Sequence, residues 1–152
     1  IELLTEYLIE SPVSLMEFKV PKIYRPNRQH ILFQRIPVKT IEPQQIHLTM
    51  PVAVLVDHRC RGRIEHYLHL LQGIRRGVLI GQASAGTLGS TDLFTILDAY
   101  DVSWTVTQVE GLEHTPFTGV YPDILCEPTY AGLQSGKDEL LERAIDWMRD
   151  QR

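Results

Sequence analysis

The chain has 152 residues and a formal net charge of −4, a length that suits one domain with a sizeable core. Apolar residues make up 43% of it and charged residues 22%, a balance that excludes a disordered or low-complexity chain. The acidic balance, with no long run of one sign, argues against nucleic acid as the main partner, and no apolar stretch reaches the length of a membrane span.

Residues 1–10 place Ile1, Leu4 and Leu8 on one face with acids between them, which predicts a short amphipathic helix stopped at Ser11-Pro12. The start, Ile1-Glu2-Leu3-Leu4, has neither an initiator methionine nor the pattern of a signal peptide, and it reads as the C-terminal part of a longer chain. Val13 to Val20 predicts a strand ended by Pro21. A polar loop follows over 21–30. A second strand is expected over 31–38, with Pro37 confining it to an edge or marking its end, and 39–51 reads as a connector.

Val52-Ala53-Val54-Leu55-Val56 is a short continuous apolar run, the pattern of a strand buried on both faces. A helix is expected over roughly 62–76, with Ile64, Tyr67, Leu68, Leu71 and Ile74 on one stripe. Val78-Leu79-Ile80-Gly81 then reads as a second buried strand, so the unit is strand–helix–strand with a parallel pair. Ligands of open α/β sheets sit outside the carboxyl ends of such strands, which here means residues 57–63 and 82–90. Leu93–Leu97 and Val102–Thr107 predict a hairpin turning through Asp98-Ala99-Tyr100-Asp101. After a polar loop over 110–118, Ile124-Leu125-Cys126 is a short strand. Residues 137–150 form a helix with Leu140, Leu141, Ala144, Ile145 and Met148 inward and Ser135 or Gly136 as its cap. That helix is expected to cover the sheet near Phe94 and Trp104.

Several residues near the two turns invite chemistry. Arg59, Arg61 and Arg63 flank a helix start; with free backbone amides they fit an anion site, or they are solvated rim charges. Cys60 with His58 and His66 suggests a thiol–imidazole pair, although free cysteines are more often buried and inert. His66 and His69 are spaced as metal ligands on a helix, but no third ligand is evident, and surface or capping roles are favoured. No cofactor motif is present: the glycines at 81, 86 and 89 match neither the phosphate-binding loop nor the dinucleotide fingerprint. The two cysteines, Cys60 and Cys126, are too few for a disulfide framework and leave the redox compartment undecided.

Four segments carry a family resemblance. They are an apolar strand ending in Asp57 before a helix with Glu65 in its first turn; Gly81-Gln82-Ala83-Ser84-Ala85-Gly86-Thr87; Gly119-Val120-Tyr121-Pro122-Asp123-Ile124; and Gly136-Lys137-Asp138-Glu139-Leu140-Leu141. In that order and spacing the chain resembles the C-terminal processing (tail-specific) serine peptidases, related to the tricorn core protease and the interphotoreceptor retinoid-binding modules. The resemblance implies an α/β fold with the spiral ββα core of the Clp peptidases and crotonases, a partly parallel sheet flanked by helices. It also implies one domain over 1–152, with 1–51 an N-terminal helix, strands and connector and 52–152 the catalytic-core-like region.

By the same resemblance the substrate is a peptide or protein, no cofactor or metal is used, and the setting is extracytoplasmic; the oligomeric state stays open. The family nucleophile is a serine opening Ser-x-x-Glu, and Gly62 stands in its place. The family lysine falls at Thr87, and the backbone at Arg63 matches one oxyanion donor. Arg61, Ser84, Ala85, Gly86 and Thr87 would line the substrate groove, or 81–87 is simply a tight turn after a strand. Glycine cannot attack a carbonyl, so the resemblance implies a peptidase core that is inactive as it stands. Glu65 is equally readable as a capping residue. Two alternatives are a non-catalytic peptide- or lipophile-binding module and a crotonase-like acyl-thioester enzyme, the latter lacking its own glycine-rich loop before residue 52.

Overall fold

The computed structural model describes residues 2–22, 31–37, 39–110 and 117–151. Two short strands, β5 (Ala53–Val56) and β6 (Val78–Gly81), lie parallel, with Ala53 opposite Val78 and Val56 opposite Gly81. Helix α2 (Arg63–Gly73) joins them, and β10 (Ile124–Leu125) adds to the other side of β6, also parallel. The sheet order is therefore β10-β6-β5. A parallel pair needs a crossover of a dozen or so residues, and α2 supplies it.

Helix α2 is the centre of the core. Tyr67, Leu68 and Leu71 of the expected stripe are buried, and Leu70 joins them, while Ile64 and Ile74 are half-buried. The stripe is wider than the sequence suggested because two layers pack on it. On one side are Leu8, the last residue of helix α1 (Glu2–Leu8), and Ile9 after it, with Ile41; on the other are Val56 and Leu79 of the sheet with Val120. Burying one such leucine contributes about 1.5–3 kcal/mol.

The segment expected as one strand over 13–20 is two. β1 (Val13–Ser14) pairs with β4 (Thr40–Ile41), inside the supposed connector, and β2 (Phe18–Lys22) pairs with β3 (Leu32–Ile36). Pro21 does not end β2 but sits inside it, opposite Phe33. On its other side β2 meets β9 (Gln108–Val109) only at Phe18 and Lys19. Beyond Lys19 no described strand pairs with that flank, and at such an edge a missing N–H is tolerated. β3 stops at Ile36, before Pro37, as expected. Of the polar loops expected over 21–30 and 110–118, residues 23–30 and 111–116 lie outside the described residues.

Three further expectations are corrected. First, β5 is an edge strand among the described residues, and Leu55 is 39% exposed rather than buried on both faces. Second, helix α4 (Glu139–Asp150) is capped by Asp138, whose side chain accepts from Leu141 N at 3.0 Å; Ser135 and Gly136 instead end an unforeseen short helix, α3 (Tyr130–Ser135). Of the five residues expected inward on α4 only Ala144 is buried, while Leu141 and Ile145 are 47% and 41% exposed and line an open groove with Leu55. Third, β7 (Thr91–Ile96) and β8 (Tyr100–Thr105) form the expected hairpin but, among the described residues, pair with no other strand. α4 lies against β5 and β6, so Phe94 and Trp104 remain exposed. The turn itself runs through Leu97 and Asp98, both at positive φ, with Ala99 N donating to Ile96 O.

Candidate active site

The two turns at the carboxyl ends of β5 and β6 come together, and one side chain joins them. Glu65, in the first turn of α2, is fully buried. Its Oε1 accepts from Ser84 Oγ at 2.5 Å and from Gly86 N at 2.7 Å. Its Oε2 accepts from Gly62 N at 2.9 Å and from Thr87 N at 3.0 Å. A buried carboxyl group is expensive unless every lone pair is met; here four donors meet it. Glu65 N in turn donates to Gly62 O at 3.0 Å, so the reciprocal half of a capping box is made with backbone alone.

Ser84 extends the cluster. Its hydroxyl donates to Glu65 and accepts from Val120 N at 2.8 Å, while Ser84 N donates to Val120 O at 3.0 Å. Asp123 then brackets β6: it accepts from Leu79 N at 2.8 Å through Oδ2 and from Gln72 at 2.9 Å through Oδ1, and its own amide donates to Leu79 O at 2.8 Å. Two glycines are required by close approach. A Cβ on Gly81 would stand 2.1 Å from Val56 O, and one on Gly86, at φ +68, would stand 2.5 Å from Thr118 O. Sequence reasoning saw Glu65 as a cap and Ser84 as a groove residue; the role of Ser84 as the joint between two motifs, and that of Asp123, were missed. The fixed order of the four segments was the available signal.

Gly62 is the N-cap of α2, at φ 66 and ψ −132, and a Cβ there would meet nothing within 4 Å. A side chain at 62 would project into open space at a helix N-terminus, where unpaired amides and the helix dipole favour developing negative charge. That is the strained strand-to-helix geometry on which nucleophiles are presented, and no nucleophile is there. Ala85 and Thr87 are exposed beside it, and Ala85 N donates to Cys60 O at 2.9 Å, holding the turns edge to edge.

The three arginines part company. Arg59 is taken up by Asp57, through Nε at 2.8 Å and its own amide at 2.9 Å. The Arg59 guanidinium holds the Asp57 carboxyl below its ordinary pKa, and Asp57 raises that of Arg59. Arg61 and Arg63 are exposed. Cys60 Sγ lies 3.9 Å from Asp57 Oδ1, and among the described residues it bonds to no imidazole. His66 and His69 turn inward: His66 stacks on Phe18 at 4.8 Å, and His69 meets the Phe117 ring edge-on at 6.2 Å. Among the described residues no group of three metal-ligating side chains comes together, and no helix there is long and apolar enough to cross a membrane.

No family model and no curated protein matches the sequence. The backbone does match solved structures. A Parabacteroides merdae protein described as a peptidase superimposes with a TM-score of 0.74 at 15% identity, over 97% of this chain and 46% of that one. Mature CPAF complexed with lactacystin gives a TM-score of 0.76 at 13% identity, over 99% and 42%. The fold is that of the C-terminal processing peptidases. The tricorn protease shares it at a TM-score of 0.53 and 16% identity, over 99% of this chain and 13% of that one. The chain thus spans less than half the length of these C-terminal processing peptidase and tricorn structures, and within it lie mixed parallel and antiparallel sheets with flanking helices.

Proposed function

We propose that this chain is a peptidase-like core that holds an extended peptide at the turns 60–63 and 84–87 and does not cleave it. The observation that carries the reading is Gly62. The scaffold of a serine peptidase surrounds it, with the helix start, the open space for a side chain, and Glu65 fixing both turns, but the attacking hydroxyl is absent. Losing a triad nucleophile costs a factor of about a million in kcat. The backbone amide of Arg63 is assigned as an oxyanion-type donor to a bound carbonyl, and the exposed Arg61, Ala85 and Thr87 with the half-buried Gly86 as the groove. Ser84 supports the groove from beneath, its hydroxyl being committed to Glu65 and Val120. Thr87 occupies the family lysine position and supplies no base. In the same reading, residues 1–152 form one domain around a spiral ββα core of the Clp and crotonase type.

The test combines two measurements. A fluorophosphonate probe should leave the protein unlabelled, and an unstructured peptide should bind in calorimetry without being hydrolysed. Labelling that Ser84→Ala or Ser90→Ala abolishes would place a nucleophile elsewhere and overturn the reading.

A further inference from the structure

Hairpin β7–β8 is amphipathic, and its exposure conflicts with that pattern. The register sets Asp92 opposite Trp104, Phe94 opposite Val102 and Ile96 opposite Tyr100, and paired residues share a face. Five of these six are apolar or aromatic, whereas the other face is mostly threonine, serine and Asp101. Such alternation belongs to a sheet with one buried face. Yet Phe94, Ile96, Tyr100, Val102 and Trp104 are between 42% and 70% exposed. Two strands alone are marginal in water, and no other described strand pairs with these. The tip adds a second observation. Leu97 is held at φ 52, where a leucine is strained, and is 87% exposed. An apolar side chain fixed at a strained tip points to a surface for the tip to rest on.

We propose that this face is covered by the same face of a second copy of the chain, packed end to end about a two-fold axis as a four-stranded, two-layer sandwich. Charge favours a second copy over a lipid surface: residues 91–105 carry three aspartates and no Lys or Arg, and anionic headgroups repel such a segment. The polar groups of the face fit the two-fold arrangement. Asp92, the one charge on the face, lies at the base end, and Tyr100, the one hydroxyl, lies at the tip end. Turned end to end, the base of one hairpin meets the tip of the other. Asp92 then comes within reach of the partner's Tyr100, and Leu97 rests on the base of the partner hairpin. Base over base would instead crowd both Asp92 carboxylates at one end. Phe94, in the middle pair, lies at the axis and meets the partner's Phe94. The area is also sufficient. With roughly 100 Å2 exposed on each of the five side chains, two copies bury about 1,000 Å2, the size at which a specific interface begins.

The test is sedimentation equilibrium on the 152-residue protein between about 1 and 300 µM, with half-association expected on the order of 10 µM. The mass should rise from 17.4 kDa to about twice that value, and Trp104 emission should shift to the blue with it. Phe94→Glu and Phe94→Lys should each weaken association by about tenfold or more, and an equal mixture of the two should restore it, because position 94 faces itself across the axis. Leu93→Glu, on the opposite face, should leave the dimer as it was. A mass of 17.4 kDa at every concentration would overturn the proposal and leave the face to a different partner. So would a dimer that survives Phe94→Glu, one that Leu93→Glu disrupts equally, or a mixture of the two Phe94 variants that does not associate.

Discussion

Replacing Glu65 by glutamine tests the central feature of the site, because it keeps shape and removes one acceptor. The glutamate oxygens receive four donors, two on each. Glutamine has one oxygen and one NH2. With the NH2 toward Gly62 and Thr87, two backbone amides face a donor. With the NH2 toward Ser84 and Gly86, the serine hydroxyl can turn away but Gly86 N is orphaned, so this is the better arrangement. An orphaned buried amide costs about 1–3 kcal/mol, and losing a hydrogen bond to a charged group adds a similar amount. The expected loss is therefore about 2–6 kcal/mol, a large share of the 5–15 kcal/mol typical of a domain. Urea denaturation followed by circular dichroism reads it as a fall in midpoint at constant slope. Ser84→Ala should cost about 1–3 kcal/mol, and the double variant should cost less than the sum, because the two share a bond. A loss under about 1 kcal/mol for Glu65→Gln, or full additivity with Ser84→Ala, would refute the idea that this carboxyl group ties the turns together.

Gly62→Ser should fold without a clash, since the space is open, but positive φ should cost it about 1–2 kcal/mol in the same urea assay. The serine variant should gain little labelling by a fluorophosphonate, because Thr87 supplies no base. Stability should also fall with acid through His66: the unfolded chain takes up a proton near pH 6.5, whereas the folded protein does not until about pH 4. This contribution is complete above pH 6.5 and is lost as pH drops toward 4, by about 1–3 kcal/mol; His66→Phe should flatten that part of a stability–pH curve. Ile145→Ala should cost less than about 1 kcal/mol, because the side chain is 41% exposed; a loss above 2 kcal/mol would mean that the groove beside β5 is covered in solution.

The β5–α2–β6 unit was legible because its signals are local: two apolar runs too short for helices, separated by a stripe at helical spacing. The site was legible only as a pattern. Gly62, Glu65, Ser84 and Val120 were each in view, but that Glu65 and Ser84 touch depends on the parallel crossover returning the chain beside itself, which no spacing encodes. Pro21 misled because a proline is compatible with a strand wherever one flank is open, and openness is a property of the sheet order. The stripe on α4 misled for a related reason. Leu141 and Ile145 do face an apolar surface, but that surface lies along β5, which no further described strand flanks, so spacing identified the face without telling whether anything closes over it. α3 was missed because six residues containing a glycine carry no period; its start is set instead by Thr129 Oγ1 accepting from Gly132 N at 3.0 Å.

Gly62 contributes only backbone to the cluster around Glu65, so on the proposed reading, in which position 62 carries no chemistry, a change from serine to glycine there is a one-way gate in sequence space. A serine at φ +66 is held in place against a local penalty of about 1–2 kcal/mol, and only selection for hydrolysis repays it. Once that selection lapses, glycine is the restful choice. It leaves every partner of Glu65 satisfied and releases the strain. The return step asks for the penalty again before any base is present to reward it. A lineage that crosses the gate keeps its architecture and stays silent, and the surviving architecture becomes free to be selected for grip alone.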